Sequence, residues 1–443
     1  MRSTQNLPTT SGANEALAVV NILVFMNGLG LGGTEKAACR WAWGLKERGH
    51  AVVVLSLEDG QRRTELEHHQ IPIRVTGISV DKIVAILKEI RPDVIHAHAP
   101  GHPHEGDVLG EALKLLPKIP VVQTNIFGHL YHPPEDAWTD FRLFISWTSG
   151  VQAARRSFLP LDEGFFRRAS VAVYPLDPLE PVPAETVRAF RKKLGVAEDE
   201  ILFGRLGRPD LGKWSNLALD AFQIARRRNR NIKMLLREPP PEIATQLRAS
   251  PEADRFIILP ATLDAEELRL TLSAFDVVLH TAINGESYGY GIAEPMNLGK
   301  PVVTHSVPWQ DQAQIELVRH GECGFITSTP SVMAGAMLCL AGDAALRQRM
   351  GQAAQRHIRT LSDPDTSVRR LESALKAVLE NRDNPFMADD LARAKVTAGY
   401  LDAQQFGHSL GEQLALRSFY WRVRFHEFRR ALRLKFGAKP RMN

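Results

Sequence analysis

The 443-residue chain carries 44% apolar and 24% charged side chains. At about three times a typical ~150-residue domain, this predicts two or three folded units and excludes a fibrous or disordered chain. Its net charge of +5 is local: residues 417–443 hold nine Lys or Arg against Glu427 alone, and the remainder has 46 basic against 49 acidic residues, so the body is not a nucleic-acid-binding surface. Three distant cysteines, Cys39, Cys323 and Cys339, form no C-x-x-C pair, which argues against a disulfide scaffold or a structural zinc site and fits a reducing compartment. The longest apolar run, Ala16 to Met26, is interrupted by Asn21 and falls short of the ~18 residues a membrane-spanning helix needs. A cytoplasmic protein is expected.

In chain order, the polar segment 1–15 predicts disorder. Ala18 to Met26 reads as a strand buried on both faces, Asn27 to Gly33 as a glycine-rich turn, and Thr34 as the cap of a helix. In that helix Ala37, Trp41 and Leu45 recur every four residues, and Gly49 ends it. Ala51 to Leu57 is the next strand, Asp81 to Arg91 a helix, and Asp93 to Ala97 a strand; Val121 and Val122 start a further strand and Phe141 to Trp147 another. This alternation predicts a parallel sheet covered by helices.

Pro175, Pro178, Pro181 and Pro183 mark a linker. The alternation then restarts, with strands at Ile201 to Leu206, Lys233 to Arg237, Arg255 to Leu259, Val277 to His280 and Pro301 to His305, and helices at Asn216 to Arg228, Ala265 to Ser273 and Ile292 to Leu298. A helical run, Asp343 to Asn381, is expected to close this second domain. The predicted units are a first Rossmann-like domain over 16–178, a second over 179–381, and a helical extension over 382–443.

Three segments carry candidate chemistry. Gly28-x-Gly30-x-x-Gly33 follows a strand and opens a helix, as a dinucleotide fingerprint does, with Glu58 and Asp59 where a ribose-binding acid sits. A plain strand-to-helix turn has the same pattern. Next, Gly207 to Trp214 places Arg208 and Lys213 beyond the carboxyl end of a strand; a guanidinium fork and an ammonium together suit a diphosphate, as well as an ordinary charged surface turn. Finally, Gly285 to Glu294 sets Glu286 on a loop and Glu294 in the first turns of a helix. The N–H groups of Ser287, Tyr288 and Gly289 suit an anion there, and the carboxylates suit hydroxyls of a sugar and a ribose.

Taken together, these segments resemble the retaining glycosyltransferases of family four, with the two-domain GT-B fold. The residues that carry the resemblance are Gly32-Gly33-Thr34-Glu35, Pro92 to His98, the pair Arg208 and Lys213, and Gly285 to Glu294 followed by Gly299 to Val303. The resemblance implies a nucleotide-diphospho-sugar donor, UDP- or GDP-linked, held mainly by the second domain, and transfer with retained anomeric configuration and no metal or other cofactor. It matches Arg208 and Lys213 to the donor diphosphate, Glu286 to the donor sugar, Glu294 to the ribose and Gly33 to the glycine loop of the first domain. Where many members carry a histidine near the reacting sugar, this chain reads Thr124-Asn125-Ile126. Asn125 bonds a hydroxyl but is no base, and no base is assigned.

His96, His98, His102 and His104 with Glu105 and Asp107 match no closed metal site; a cleft-lining loop is expected, with His98 in reach of acceptor or donor. In the tail, Trp421, Phe425, Phe428, Leu432 and Phe436 form an aromatic stripe among arginines. That pattern suits an anionic membrane surface, which would place the enzyme peripherally on the inner face of the cell membrane, and equally a helix packed on the protein itself. A glycan or lipid-linked acceptor in lipopolysaccharide or polysaccharide synthesis follows from the membrane reading. The rivals are a GT-B synthase with a small soluble acceptor, a nicotinamide-dependent oxidoreductase using Gly28, Gly30 and Gly33, and a non-catalytic GT-B binding protein.

Overall fold

The computed structural model describes residues 19–99, 107–130, 138–308 and 310–406. The expectations for 1–15, for His102, His104 and Glu105, and for the 417–443 tail lie outside them. Seven strands form the first sheet: β1 (Asn21–Met26), β2 (Ala51–Ser56), β3 (Ile73–Val75), β4 (Val94–Ala99), β5 (Val121–Asn125), β6 (Phe141–Phe144) and β7 (Ala169–Val171). All pair in parallel, in the order β3-β2-β1-β4-β5-β6-β7. Such strands are apolar along their whole length because helices cover both faces, and Ile22, Leu23 and Val24 of β1 are all fully buried.

The second domain repeats the plan with β8 (Ile201–Leu206), β9 (Ile232–Arg237), β10 (Phe256–Leu259), β11 (Val277–His280), β12 (Gly285–Glu286), β13 (Val302–His305), β14 (Asp311–Gln312) and β15 (Gly324–Thr327). Six of these form a sheet in the order β10-β9-β8-β11-β13-β15, while β12 and β14 pair separately. In each sheet the strand order reverses once, between β1 and β4 and between β8 and β11. Open α/β sheets bind ligands in the crevice at that reversal, beyond the carboxyl ends of the strands.

Several local expectations are revised. The helix after β1 spans Gly33–Glu47 and its cap is Gly32, with no side-chain bond; Thr34 lies in the first turn and its hydroxyl accepts from Tyr174 at 3.4 Å. The strand placed at Phe141 to Trp147 stops at Phe144, because Ser146 caps the helix Trp147–Arg156 in a reciprocal capping box with Ser149. The helical run after Asp343 divides at Asp363, which caps Pro364–Leu379. That last helix does not close the second domain; it returns to the first and packs on helix Gly33–Glu47 and on β4 to β7. The Trp41 indole donates to Ser367 Oγ at 2.8 Å, Arg48 pairs with Glu372 at 2.7 Å, and Val368 lies against Gly44. Helix Met387–Phe406 follows it onto helix Trp147–Arg156, where buried Asp390 pairs with Arg370 at 2.6 Å and accepts from Ser170 at 2.6 Å.

Candidate functional site

The second sheet's reversal gathers the predicted cations and Glu286. Beyond β8, residues 207–214 close on a tight turn at Leu211–Lys213, where Asp210 accepts from the Gly212 N–H at 2.7 Å. The Trp214 indole donates to the Arg208 carbonyl at 2.7 Å, leaving the Arg208 side chain exposed. Lys213 points the other way and donates to the Gly285 carbonyl at 3.1 Å and to Glu286 Oε2 at 3.0 Å.

Glu286 belongs to β12, and β14 supports it. Its N–H donates to Gln314 Oε1 at 3.1 Å and its carbonyl accepts from Ala313 at 2.8 Å. Glycine is required just before it: Gly285 has φ +64°, and a Cβ there would lie 1.7 Å from the Asp311 carbonyl oxygen. Glu286 Oε1 bonds His280 Nε2 at 2.9 Å, while His280 Nδ1 faces Arg205 Nη1 at 3.1 Å. An arginine only donates, so Nδ1 holds the lone pair and Nε2 carries the proton. Burial raises the Glu286 carboxyl, but the His280 hydrogen bond and the nearby Lys213 charge outweigh it and hold the group at about 2. Burial also lowers His280, against the pull of Glu286.

Arg205 and His280 were missed in the sequence because they are spelled inside apolar strands; a charge within Ile201 to Leu206 was the available signal, since arginine is rarely buried unpaired. Arg205 is 1% exposed and its guanidinium lies 4.6 Å from the Trp214 ring. Burial pushes it down to about 10.

Ser287, Tyr288 and Gly289 link Glu286 to helix Tyr290–Asn297, with Gly289 as its cap at φ +103°. The Ser287 hydroxyl donates to Asp311 at 2.6 Å, and the buried Tyr288 hydroxyl lies 2.7 Å from Ser362 Oγ. Both side chains are thus engaged within the protein. Glu294 lies one turn into the helix and meets the first domain, where Lys36 donates to its Oε1 at 2.5 Å. Tyr290 packs on Gly33, where a Cβ would approach its ring to 3.0 Å. The same test leaves Gly30 free and Gly28 in ordinary contact with Glu58 at 3.7 Å. Of the three, Gly33 alone is tightly packed, and the ring of a tyrosine from the other domain would have to shift to admit a side chain there.

On the first sheet, His98 and Asn125 end the adjacent strands β4 and β5. His98 is 3% exposed, neither ring nitrogen has a hydrogen-bond partner among the described residues, and burial lowers it to about 3, so it is a neutral imidazole. Asn125 donates to the His129 carbonyl at 2.6 Å and keeps a buried, unpartnered Oδ1.

Residues 33–143 match the family described as Glycosyl transferase 4-like, and residues 186–357 the family described as Glycosyl transferases group 1. No curated protein sequence matches the chain significantly. Among solved structures, Anabaena Alr3699/HepE in complex with UDP-glucose aligns at 20% identity and TM-score 0.67, covering 81% of this chain and all of that one. A glycosyltransferase from Rickettsia africae ESF-5 aligns at 15% identity and TM-score 0.69, over 82% of this chain and all of that one. WaaG, a glycosyltransferase involved in lipopolysaccharide biosynthesis, aligns at 13% identity and TM-score 0.57, over 81% of this chain and 99% of that one. At these identities the alignments establish the GT-B fold, while the two family matches establish the transferase and set aside the nicotinamide-dependent alternative. With both halves matched in order around the cleft between two Rossmann-like sheets, the chain belongs to the GT-B glycosyltransferases of group 1, with a glycosyl transferase 4-like N-terminal half.

Proposed function

We propose that the protein is a retaining, metal-independent hexosyltransferase that takes its sugar from a UDP- or GDP-linked donor and passes it to a glycan or lipid-linked acceptor. The observation that carries this reading is the Lys213–Glu286 pair at the reversal point of the second sheet, with the exposed Arg208 on the same loop. Glycosyl transfer from such a donor releases a diphosphate, and fixed cations aimed at the developing charge lower that barrier. Arg208, exposed, and Lys213, held at Glu286, are assigned to the diphosphate. Glu286 is the donor-sugar carboxylate: each oxygen already accepts one protein hydrogen bond and keeps a lone pair for a sugar hydroxyl. Its low proton affinity makes it an acceptor and not a base. Glu294 Oε2 is assigned to the ribose, the backbone of Ser287 to Gly289 to the donor, and Gly33 to the close approach of the first domain. His98 and Asn125, with buried polar atoms lacking partners among the described residues, are assigned to acceptor or donor hydroxyls.

A role in lipopolysaccharide or cell-surface polysaccharide synthesis is supported by the likeness to WaaG, and a uridine nucleotide by the likeness to the UDP-glucose complex. The deciding experiment is calorimetric binding of UDP, GDP, their sugar conjugates and NAD(H), with and without magnesium. Magnesium-independent binding of one nucleoside diphosphate, lost in Glu294→Ala, is expected and names the base. Failure of every nucleoside diphosphate to bind would overturn the reading.

A further inference from the structure

Glu286 can serve a donor sugar only if its two protein donors stay in place, and both are governed by one buried side chain. Arg205 projects from β8 into the gap between β11 and the Leu211–Lys213 turn. Its Nη1 donates to the Leu206 carbonyl at 2.9 Å and to His280 Nδ1 at 3.1 Å. Its Nη2 donates to the Lys213 carbonyl and, at 3.3 Å, to the Thr281 carbonyl. Trp214 covers the guanidinium face and is itself tied to the Arg208 carbonyl.

We infer that Arg205 is a positioning residue for the donor site: one rigid fork keeps His280 as the Nε2–H tautomer that donates to Glu286 and, through the Lys213 carbonyl, sets the turn that carries Lys213 and Arg208. A lysine cannot do this, because a single ammonium does not present two parallel donors to groups on two elements. The charged groups facing Glu286 are His280 from β11, Lys213 from the turn and Arg205 from β8; Asp311 of β14 is occupied by Ser287 and Arg156. With Arg205 removed, the His280 Nδ1 lone pair loses its donor, and a cation that opposes protonation of the ring beyond the effect of burial is gone, while Glu286 still favours it.

The inference rests on the donor-site reading for its consequence in turnover, and on geometry alone for its consequence at His280. The test uses the full chain labelled with ¹⁵N-histidine, with the His280 signals identified by their loss in His280→Gln. In the parent protein the His280 ring shifts should show the Nε2–H tautomer and stay flat from pH 8 to pH 5. In Arg205→Met they should titrate within that range, and turnover should fall at least tenfold with a new loss on the acid side. Flat His280 shifts in a folded Arg205→Met, with turnover within twofold of the parent, would overturn the inference. Arg205→Lys keeps the buried cation should the methionine variant not fold. It should also lose at least tenfold, and parent-like turnover there would overturn the role of the fork. If the parent binds no nucleoside diphosphate, the donor-site reading fails while the His280 titration still decides the tautomer; if it binds and His280 stays flat in Arg205→Met, Arg205 alone fails.

Discussion

Arg208 and Lys213 share a turn but not an environment, so removing each has a different signature. Arg208 is exposed, and among the described residues its carbonyl and not its side chain is engaged. Arg208→Ala should therefore melt like the parent and lose about a hundredfold or more in turnover, the scale of one transition-state electrostatic contact. Lys213→Ala should lose as much turnover and also about 1–3 kcal/mol of stability, because the buried Glu286 carboxylate is left with His280 alone. Parallel assays and thermal melts separate the two, and near-parent turnover in either variant removes that residue from the diphosphate. Glu316 makes a third case at this scale. Its carboxylate accepts from the N–H groups of Trp147 and Thr148, capping a helix of the other domain. Burial raises its proton affinity more than those bonds lower it, to about 7. For a carboxyl raised above its unfolded value near 4.3, the contribution to stability is full below that value and is lost as pH rises through 7. The parent's melting temperature should fall between pH 5 and pH 8 by a component that Glu316→Gln lacks; identical slopes in the two proteins would refute it.

Among the elements, the short β12–β14 pair has the greatest consequence for its size. It joins Glu286 to the segment 311–317, which supplies Gln314 to the Glu286 N–H and Glu316 to helix Trp147–Arg156. That helix also touches the segment through Arg156 to Asp311 at 3.5 Å, and the chain just before it through Gln152 to the Pro308 carbonyl at 3.4 Å. The carboxylate and the domain contact thus share one piece of backbone. Gly285→Ala should break the pair, since its Cβ has no room beside the Asp311 carbonyl and φ is left-handed. Nucleotide-sugar binding should drop at least tenfold while the far-ultraviolet circular dichroism spectrum is kept, because the six-stranded sheet does not include β12. Unchanged binding would show that Glu286 needs no such support.

At the level of the molecule, the links between the two domains include the linker around Pro175, which accepts from the Tyr290 hydroxyl at 3.0 Å, the Lys36–Glu294 pair, the contact of Glu316 with helix Trp147–Arg156, and the return of helix Pro364–Leu379 to the first sheet. The trailing helix Met387–Phe406 follows that crossing and is anchored through Asp390. Among the described residues no helix is long and apolar enough to cross a membrane; the proposed contact of the basic aromatic segment 417–443 with an anionic surface is tested by truncation. Deleting residues 417–443 should release the protein from anionic vesicles in a flotation assay and leave donor hydrolysis intact. Loss of folding on truncation would instead assign the aromatic stripe to packing on the protein.

What the sequence determined by itself was whatever short-range chemistry decides. Apolar runs separated by glycine and proline turns specify buried strands and following helices within a few residues, and the two alternating blocks therefore read as two Rossmann-like sheets. Gly33, Arg208, Lys213, Glu286 and Glu294 stand out in the sequence because each lies in a turn or a helix start that follows a strand, where ligands of such sheets bind; their roles toward a donor are proposals. The tertiary structure decided the partners. His280 and Arg205 are 75 positions apart, and Lys36 and Glu294 are 258 apart, so no local pattern couples them. The destination of Pro364–Leu379 was open for the same reason: an amphipathic stripe states that a helix buries one face, but which surface receives it depends on where both sheets have already packed.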